Sequence, residues 1–98
     1  MQTQTLKSLQ NNIHLLGFQD IYSFASNQAK LLLIGKIEHY LNTIKFYEKK
    51  HKMSFLEFEK ELSKLKNKEN FEKEDDLLDW RFSIETIKMY EKELKSLK

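Results

Sequence analysis

The segment HKMSFLEFEKEL, residues 51–62, contains a complete set of signals for the start of a helix. Ser54 is placed to be the N-cap, and Glu57 lies three residues later. At this spacing each side chain can satisfy a free backbone N–H near the other residue. Met53 and Phe58 have the spacing of a hydrophobic staple across the same boundary. The sequence therefore predicts that one helix ends and another begins at this point.

The composition favours helix along nearly the whole chain. Among 98 residues there are no prolines and only two glycines, and 33% of the residues are charged. Apolar residues make up 40%, which is enough for the core of a single domain. Within that domain we distinguish an N-terminal helix and connection, residues 1–22, from a core, residues 23–98.

Hydrophobic periodicity divides the chain into four predicted helices. They run from Thr5 to Leu16, from Ser23 or Ser26 to about Lys50, from Phe55 to about Lys66, and from about Asp76 to the end. Gly17 stands where a left-handed residue commonly ends a helix. The segment 66–76 is the one predicted loop, and Phe71 is its only apolar anchor.

The second helix carries an apolar row with alternating spacings of four and three residues, typical of a coiled-coil seam. This candidate dimer seam consists of Leu33, Ile37, Tyr40, Ile44 and Tyr47. The fourth helix has two apolar faces, and two short helices cannot cover both long ones. The sequence therefore predicts an all-α fold. Its centre is an antiparallel pair of long helices with two short helices, completed by dimerisation.

Acidic residues are concentrated in one short segment. Residues 69–79 contain six acids and one Lys, a net charge of −5, whereas the whole chain has a net charge of +2. Acids at a helix N-terminus complement its dipole, by about 0.3–1 kcal/mol each. Six exceed what capping requires, so an alternative interpretation is a patch that steers a basic protein partner. The candidate partner-binding residues are Glu72, Glu74, Asp75, Asp76, Asp79 and Trp80.

No arrangement of side chains in the sequence is typical of an enzyme or a metal site. The histidines, His14, His39 and His51, are not arranged as in H-E-x-x-H, and the chain has no cysteine. The serines lack a Gly-rich elbow, and no Gly-rich phosphate loop is present. We therefore expect no catalytic residue, no metal and no cofactor.

Nucleic acid and membrane are poor candidates for partners. The basic run KKHK, residues 49–52, lacks a recognition helix or an aromatic platform, although weak nucleic-acid binding through it remains an alternative. The longest apolar run, residues 31–34, is far shorter than the ~20 residues that cross a bilayer. No signal peptide is recognisable. We expect a cytoplasmic protein.

Two segments, KFYEKKHKMSFLEFEKEL and NFEKEDDLLDWRFSIETIKMYEKEL, resemble small α-helical antitoxin-like proteins of prokaryotic toxin–antitoxin pairs. The resemblance covers residues 30–98, and the family often has Gly where this chain has Lys52. It implies a protein that binds and neutralises a small cognate toxin. The alternative from another class is a self-assembling helical structural protein without a toxin partner.

Overall fold

The computed structural model describes residues 2–65 and 70–97, and all secondary structure within these ranges is helical. Its four helices are α1 (Gln2–Leu15), α2 (Ile21–His51), α3 (Phe55–Ser63) and α4 (Phe71–Ser96). At 1.5 Å per residue, α2 and α4 are about 46 and 39 Å long. The all-α class and the pairing of the two long helices are confirmed, whereas dimerisation stays a prediction.

The predicted start of α3 is confirmed, but only one of the two predicted capping-box bonds forms, because the side chain of Glu57 makes no bond to the N–H of Ser54 or to another described residue. Ser54 has an extended backbone, and its Oγ accepts a hydrogen bond from the N–H of Glu57 at 3.2 Å. Met53 packs against the cluster that contains Phe58, as a hydrophobic staple requires. Lys52 ends α2 with φ 56° and ψ 38°, the left-handed conformation for which Gly is better suited. The turn between α2 and α3 therefore combines a favourable cap with a strained residue.

The end of α1 is a Schellman motif, as the position of Gly17 predicts. Gly17 has φ +95°, and its N–H donates to the carbonyl of His14 at 3.0 Å. The N–H of Phe18 donates to the carbonyl of Ile13, also at 3.0 Å. Ile13 is 2% exposed, so the turn also brings α1 into its one buried contact.

Two predicted helix starts are wrong, because in each case a residue further upstream is the N-cap. Asp20, rather than Ser23 or Ser26, caps α2, and its Oδ1 accepts the N–H of Ser23 at 2.7 Å. Asn70 caps α4, and its Oδ1 accepts the N–H of Lys73 at 3.1 Å. The first turn of α4 therefore begins five residues before the predicted start at Asp76.

The predicted loop is correspondingly shorter. Residues 71–76 are helical, and Phe71 is 69% exposed, so it does not anchor a loop. The third helix ends at Ser63, and the predicted end at Lys66 lies outside the described residues.

An aromatic cluster joins α2, α3 and α4. Tyr47, Phe58 and Trp80, one from each helix, form its buried centre. Half-buried apolar residues surround them: Ile44, Met53, Phe55, Leu62, Leu77 and Ile84. Tyr47 lies beside Trp80, whereas Tyr40, two turns earlier, lies between Phe82 and Tyr90. Because the pairs advance in opposite directions along the chain, α2 and α4 are antiparallel.

The molecule is elongated, with extents of 66 × 25 × 20 Å. Its radius of gyration is 21.0 Å, whereas a compact domain of this length has a radius of about 13 Å. Its accessible surface is 8162 Å², against about 5,900 Å² for a compact monomer of the same mass. A single copy therefore leaves much more surface in contact with water than a compact fold would.

Candidate functional site

Residues 71–79 of the acidic segment form the first turns of α4, and their side chains point in different directions. Glu72 and Glu74 belong to the first turn, close to the positive end of the helix dipole. Asp76 and Asp79 lie further along α4, and their carboxylates contact side chains of α2. The segment is therefore not one continuous patch.

Asp76 forms a partly buried ion cluster with the end of α2. Its Oδ2 lies 2.8 Å from Lys50 Nζ and 2.8 Å from His51 Nε2. An ionised carboxylate has no proton to donate, so the Nε2 of His51 carries the hydrogen of this bond. The Asp76 side chain is only 12% exposed and that of His51 10%, so the cluster ties the two helices together where water has little access.

This cluster shifts the pKa values of Asp76 and Lys50. Burial raises the pKa of the Asp76 carboxyl, but hydrogen bonds from Lys50 and His51 lower it by more, so the pKa lies below its ordinary value. The hydrogen bond to Asp76, followed by that to Glu72, raises the pKa of Lys50. Asp76 and Lys50 are therefore both held in their charged forms at neutral pH.

Asp79 has a structural partner as well. The hydroxyl of Tyr47 donates to Asp79 Oδ2 at 2.5 Å. Burial is the main reason that the pKa of Tyr47 rises above its ordinary value, and the hydrogen bond to Asp79 adds to it. Tyr47 therefore remains a donor at physiological pH, and Asp79 serves as its acceptor in the α2–α4 contact.

Trp80 is a core residue in this structure. It is 0% exposed, and its ring is surrounded by those of Tyr47, His51, Phe55 and Phe58, with centroids 5.5–6.1 Å away. The indole Nε1–H has no hydrogen-bond acceptor among the described residues. From the sequence, Trp80 could be a core residue or a binding hot spot. Its complete burial in the structure makes it a core residue.

Two of the six candidate residues remain accessible and unpaired. Glu74 and Asp75 are exposed, and neither side chain forms a hydrogen bond or ion pair with a described residue. Glu72 is also largely exposed, with 77% of its side chain accessible, but it forms an ion pair with Lys50 at 3.2 Å. Asp79 is exposed as well, although it accepts the hydrogen bond from Tyr47. Glu74 and Asp75 are therefore the accessible carboxylates of the segment that have no partner among the described residues.

Sequence reasoning missed that the basic run at the end of α2 is the partner of the acids on α4. The signal was present, because antiparallel neighbours bring the C-terminus of one helix beside the N-terminus of the other. Residues 49–52 are basic and residues 72–76 are mostly acidic. Since Lys50 and His51 are engaged by Asp76, fewer cations at this end are free to contact phosphates.

The candidate dimer seam lies against α4 of the same chain. Tyr47 is buried, and Ile44 packs on the aromatic cluster. Tyr40 contacts Phe82 and Tyr90, with ring centroids 5.9 and 6.2 Å apart. The other two members, Leu33 and Ile37, are half-buried, and Leu33 lines a groove with Tyr90 and Leu97. The seam residues as a group are therefore occupied within the protomer.

Apolar side chains that the fold does not cover lie elsewhere. On α4, Leu78, Phe82 and Met89 are 59%, 56% and 52% exposed. On α1, Leu6 and Leu9 are 46% and 48% exposed. On α2, Leu32 and Phe46 are 68% and 59% exposed, and Leu31, Ile34 and Leu41 are also exposed. All three helices therefore offer apolar side chains to another molecule.

No protein-family model, curated protein or solved structure matches this chain. Among the residues that the structure describes, no group of three or more His, Asp or Glu side chains could hold a metal ion. Within the same ranges, no helix is both long enough and apolar enough to cross a membrane. The functional argument therefore rests on the exposed surfaces.

Proposed function

We propose that this protein is a non-enzymatic protein-binding module. The observation that carries the proposal is the apolar surface that its own fold leaves uncovered, on α4 at Leu78, Phe82 and Met89 and on α2 at Leu31, Leu32 and Phe46. Exposed apolar surface that forms a contiguous patch is characteristic of sites that contact other macromolecules. The titratable side chains at the α2–α4 junction bond to one another, which supports a structural role for them over a catalytic one.

We further propose that the partner is a small cognate toxin that the protein neutralises by binding. The support for this role is the resemblance of residues 45–62 and 70–94 to antitoxin-like proteins. The exposed carboxylates of Glu74 and Asp75 suit a basic partner, because complementary charge accelerates encounter. The ion pairs of Asp76 and Glu72 with Lys50 offset part of the segment's charge, whereas Asp79 keeps its charge because its partner, the Tyr47 hydroxyl, is neutral.

Association kinetics with the product of the neighbouring gene test the role. The variant Glu74→Gln/Asp75→Asn removes the two unpaired charges and leaves Asp76 and Asp79 in place. If the acids steer the partner, the association rate constant of the variant falls several-fold. The wild-type rate constant also falls as salt rises, because salt screens long-range attraction.

A matched control is Glu38→Gln/Glu48→Gln, which removes two charges from exposed positions of α2. This control should associate at the wild-type rate. Equal rate constants for wild type and the α4 variant at both salt concentrations would reject steering. Failure of the two proteins to associate at all would reject the toxin-binding role.

A further inference from the structure

We propose that a second copy of this chain packs antiparallel against the outward face of α4. The centre of this face is Leu78, Phe82 and Met89, here called the outward row, and the charged residues Glu74 and Lys92 flank it. The proposal concerns the protein without its partner, because the partner contact proposed above uses the same apolar row and Glu74 and would compete with the second copy.

The outward row is a distinct face of α4. Its members are separated by four and seven residues, so they lie on one side of the helix. Trp80 and Ser83, on the side of α4 that packs on the core, are both 0% exposed. The ring of Phe82 also contacts that of Tyr40 with a centroid distance of 5.9 Å, so the apolar surface continues from α4 towards α2.

The accessible surface of one copy is large enough to include a dimer interface. The accessible surface of 8162 Å² exceeds the expectation for a compact monomer by about 2,200 Å². A protein–protein interface of standard size buries about 800 Å² on each partner. The excess therefore exceeds the area that one standard interface would remove from each protomer.

The flanking charges favour an antiparallel arrangement. Glu74 and Lys92 are both exposed, and neither is paired with a described residue. They are separated by 18 residues, which is five turns of helix, so they lie on the same flank of the row. A parallel pair in register would place the two Glu74 side chains at the same height but on opposite sides of the interface, with no Lys92 facing either. An antiparallel one would place Glu74 of each copy beside Lys92 of the other.

A single two-fold axis satisfies the apolar and the charged contacts together. Ser83 is the midpoint between Glu74 and Lys92, and the midpoint between Leu78 and Met89 lies within one residue of it. With the axis near Ser83, Leu78 of one copy faces Met89 of the other, and each contact occurs twice. The two Phe82 rings then lie next to the axis, at the centre of the interface, where aromatic hot spots concentrate.

Sedimentation equilibrium over a range of protein concentrations tests the interface. The wild-type protein should be a dimer at micromolar concentration, and Phe82→Ser should be a monomer. Leu15→Ser is the matched control, because Leu15 is 84% exposed but lies at the end of α1, a different helix from the outward row. The control should dimerise with the wild-type dissociation constant, and circular dichroism should show that both variants remain helical.

A charge exchange tests the orientation. Glu74→Lys and Lys92→Glu should each raise the dissociation constant about tenfold, equivalent to about 1.4 kcal/mol. The double variant Glu74→Lys/Lys92→Glu should restore a dissociation constant close to the wild-type value, since the exchanged charges again face each other. This rescue is specific to an antiparallel pair.

Three results would overturn the proposal. The first is a wild-type protein that remains monomeric at micromolar concentration, including one that instead binds phospholipid vesicles through Phe82. The second is a folded Phe82→Ser variant that dimerises as well as wild type, since another face would then be responsible. The third is a double charge variant that dimerises no better than either single variant.

Discussion

At one end of the molecule α3 closes over the junction of α2 and α4, whereas at the other end α1 lies against the start of α2. Around α3, Phe58 and Trp80 are at most 1% exposed. Among the described side chains up to residue 46, only Ile13 is buried. The same chain therefore contains a closely packed end and an open end.

The two ends also differ in their ion pairs and side-chain hydrogen bonds. All four ion pairs between described residues lie at the α3 end, and they join different helices. The hydrogen bonds that involve side chains at the α1 end instead join residues three or four positions apart. The Asn12 side chain donates to the carbonyl of Ser8, and the Asp20 side chain accepts from the N–H of Ser23. The comparison indicates that the α3 end provides most of the stability, and that the α1 end depends largely on local helix formation.

Truncation of an apolar side chain should change the free energy of unfolding by very different amounts at the two ends. Phe58→Ala should lower the free energy of unfolding by about 3–5 kcal/mol, because it leaves a cavity between α2, α3 and α4. Leu9→Ala should lower it by less than about 1 kcal/mol, because Leu9 is already 48% exposed. Urea denaturation checks both values, and equal losses would show that the two ends contribute alike.

The ion cluster at Asp76 should give the next largest effect. Asp76→Ala should cost about 1.5–3 kcal/mol, the range for hydrogen bonds to charged groups. Because the folded state lowers the pKa of Asp76, its contribution is present above the ordinary value of 3.8 and is lost as the pH falls through the folded pKa. The stability of wild type should therefore decline in acid more steeply than that of Asp76→Asn.

Asp75→Asn is the matched control for this pH dependence, because Asp75 is exposed and its side chain forms no hydrogen bond or ion pair with a described residue. Its stability should follow the wild-type curve. If Asp76→Asn and Asp75→Asn titrate alike, the cluster does not couple α2 to α4.

The cap of α3 should have a smaller effect. Ser54→Ala should lower the free energy of unfolding by about 0.5–2 kcal/mol, because the N–H of Glu57 loses its acceptor. Ser26→Ala is the control, since Ser26 lies inside α2 and is not its cap. Partner affinity per folded molecule should not change. If Ser54→Ala abolished binding at an unchanged melting temperature, Ser54 would be a contact residue.

The smallest expected effect is a gain in stability. Lys52→Gly should raise the free energy of unfolding by about 0.5–1 kcal/mol, because Gly adopts the left-handed conformation without steric cost. Gly17→Ala should do the opposite at the α1 end, where the backbone has φ +95°. Thermal denaturation of the two variants checks both signs. A loss of stability in Lys52→Gly would mean that Lys52 makes a contribution other than through its backbone.

Much of this fold could be predicted from local sequence signals. The cap at Ser54 and the turn at Gly17 depend on residues a few positions apart, and both are confirmed. The starts of α2 and α4 were misplaced because Asp20 and Asn70 cap the helices further upstream. Several residues near a helix boundary can act as caps, and only the packing of the chain decides among them.

The candidate site was harder to predict, because its contacts join residues far apart in sequence. The acidic segment contains the residues that the sequence identified, but Asp76 bonds to His51, 25 positions away, and Asp79 to Tyr47, 32 positions away. A charge count cannot distinguish an acid that faces a neighbouring helix from one that faces solvent. The rotation of α4 about its axis, which sets that difference, follows from the burial of Trp80.

Amide hydrogen exchange under native conditions tests most directly the claim that stability is concentrated at the α3 end. Protection reports the free energy of local opening for each segment. We expect the slowest exchange in residues 44–51 of α2 and 76–87 of α4, which surround the aromatic cluster, and much faster exchange throughout α1. If the amides of α1 were as protected as those beside Trp80, the molecule would unfold as one uniform unit. The division into a closely packed end and an open end would then be wrong.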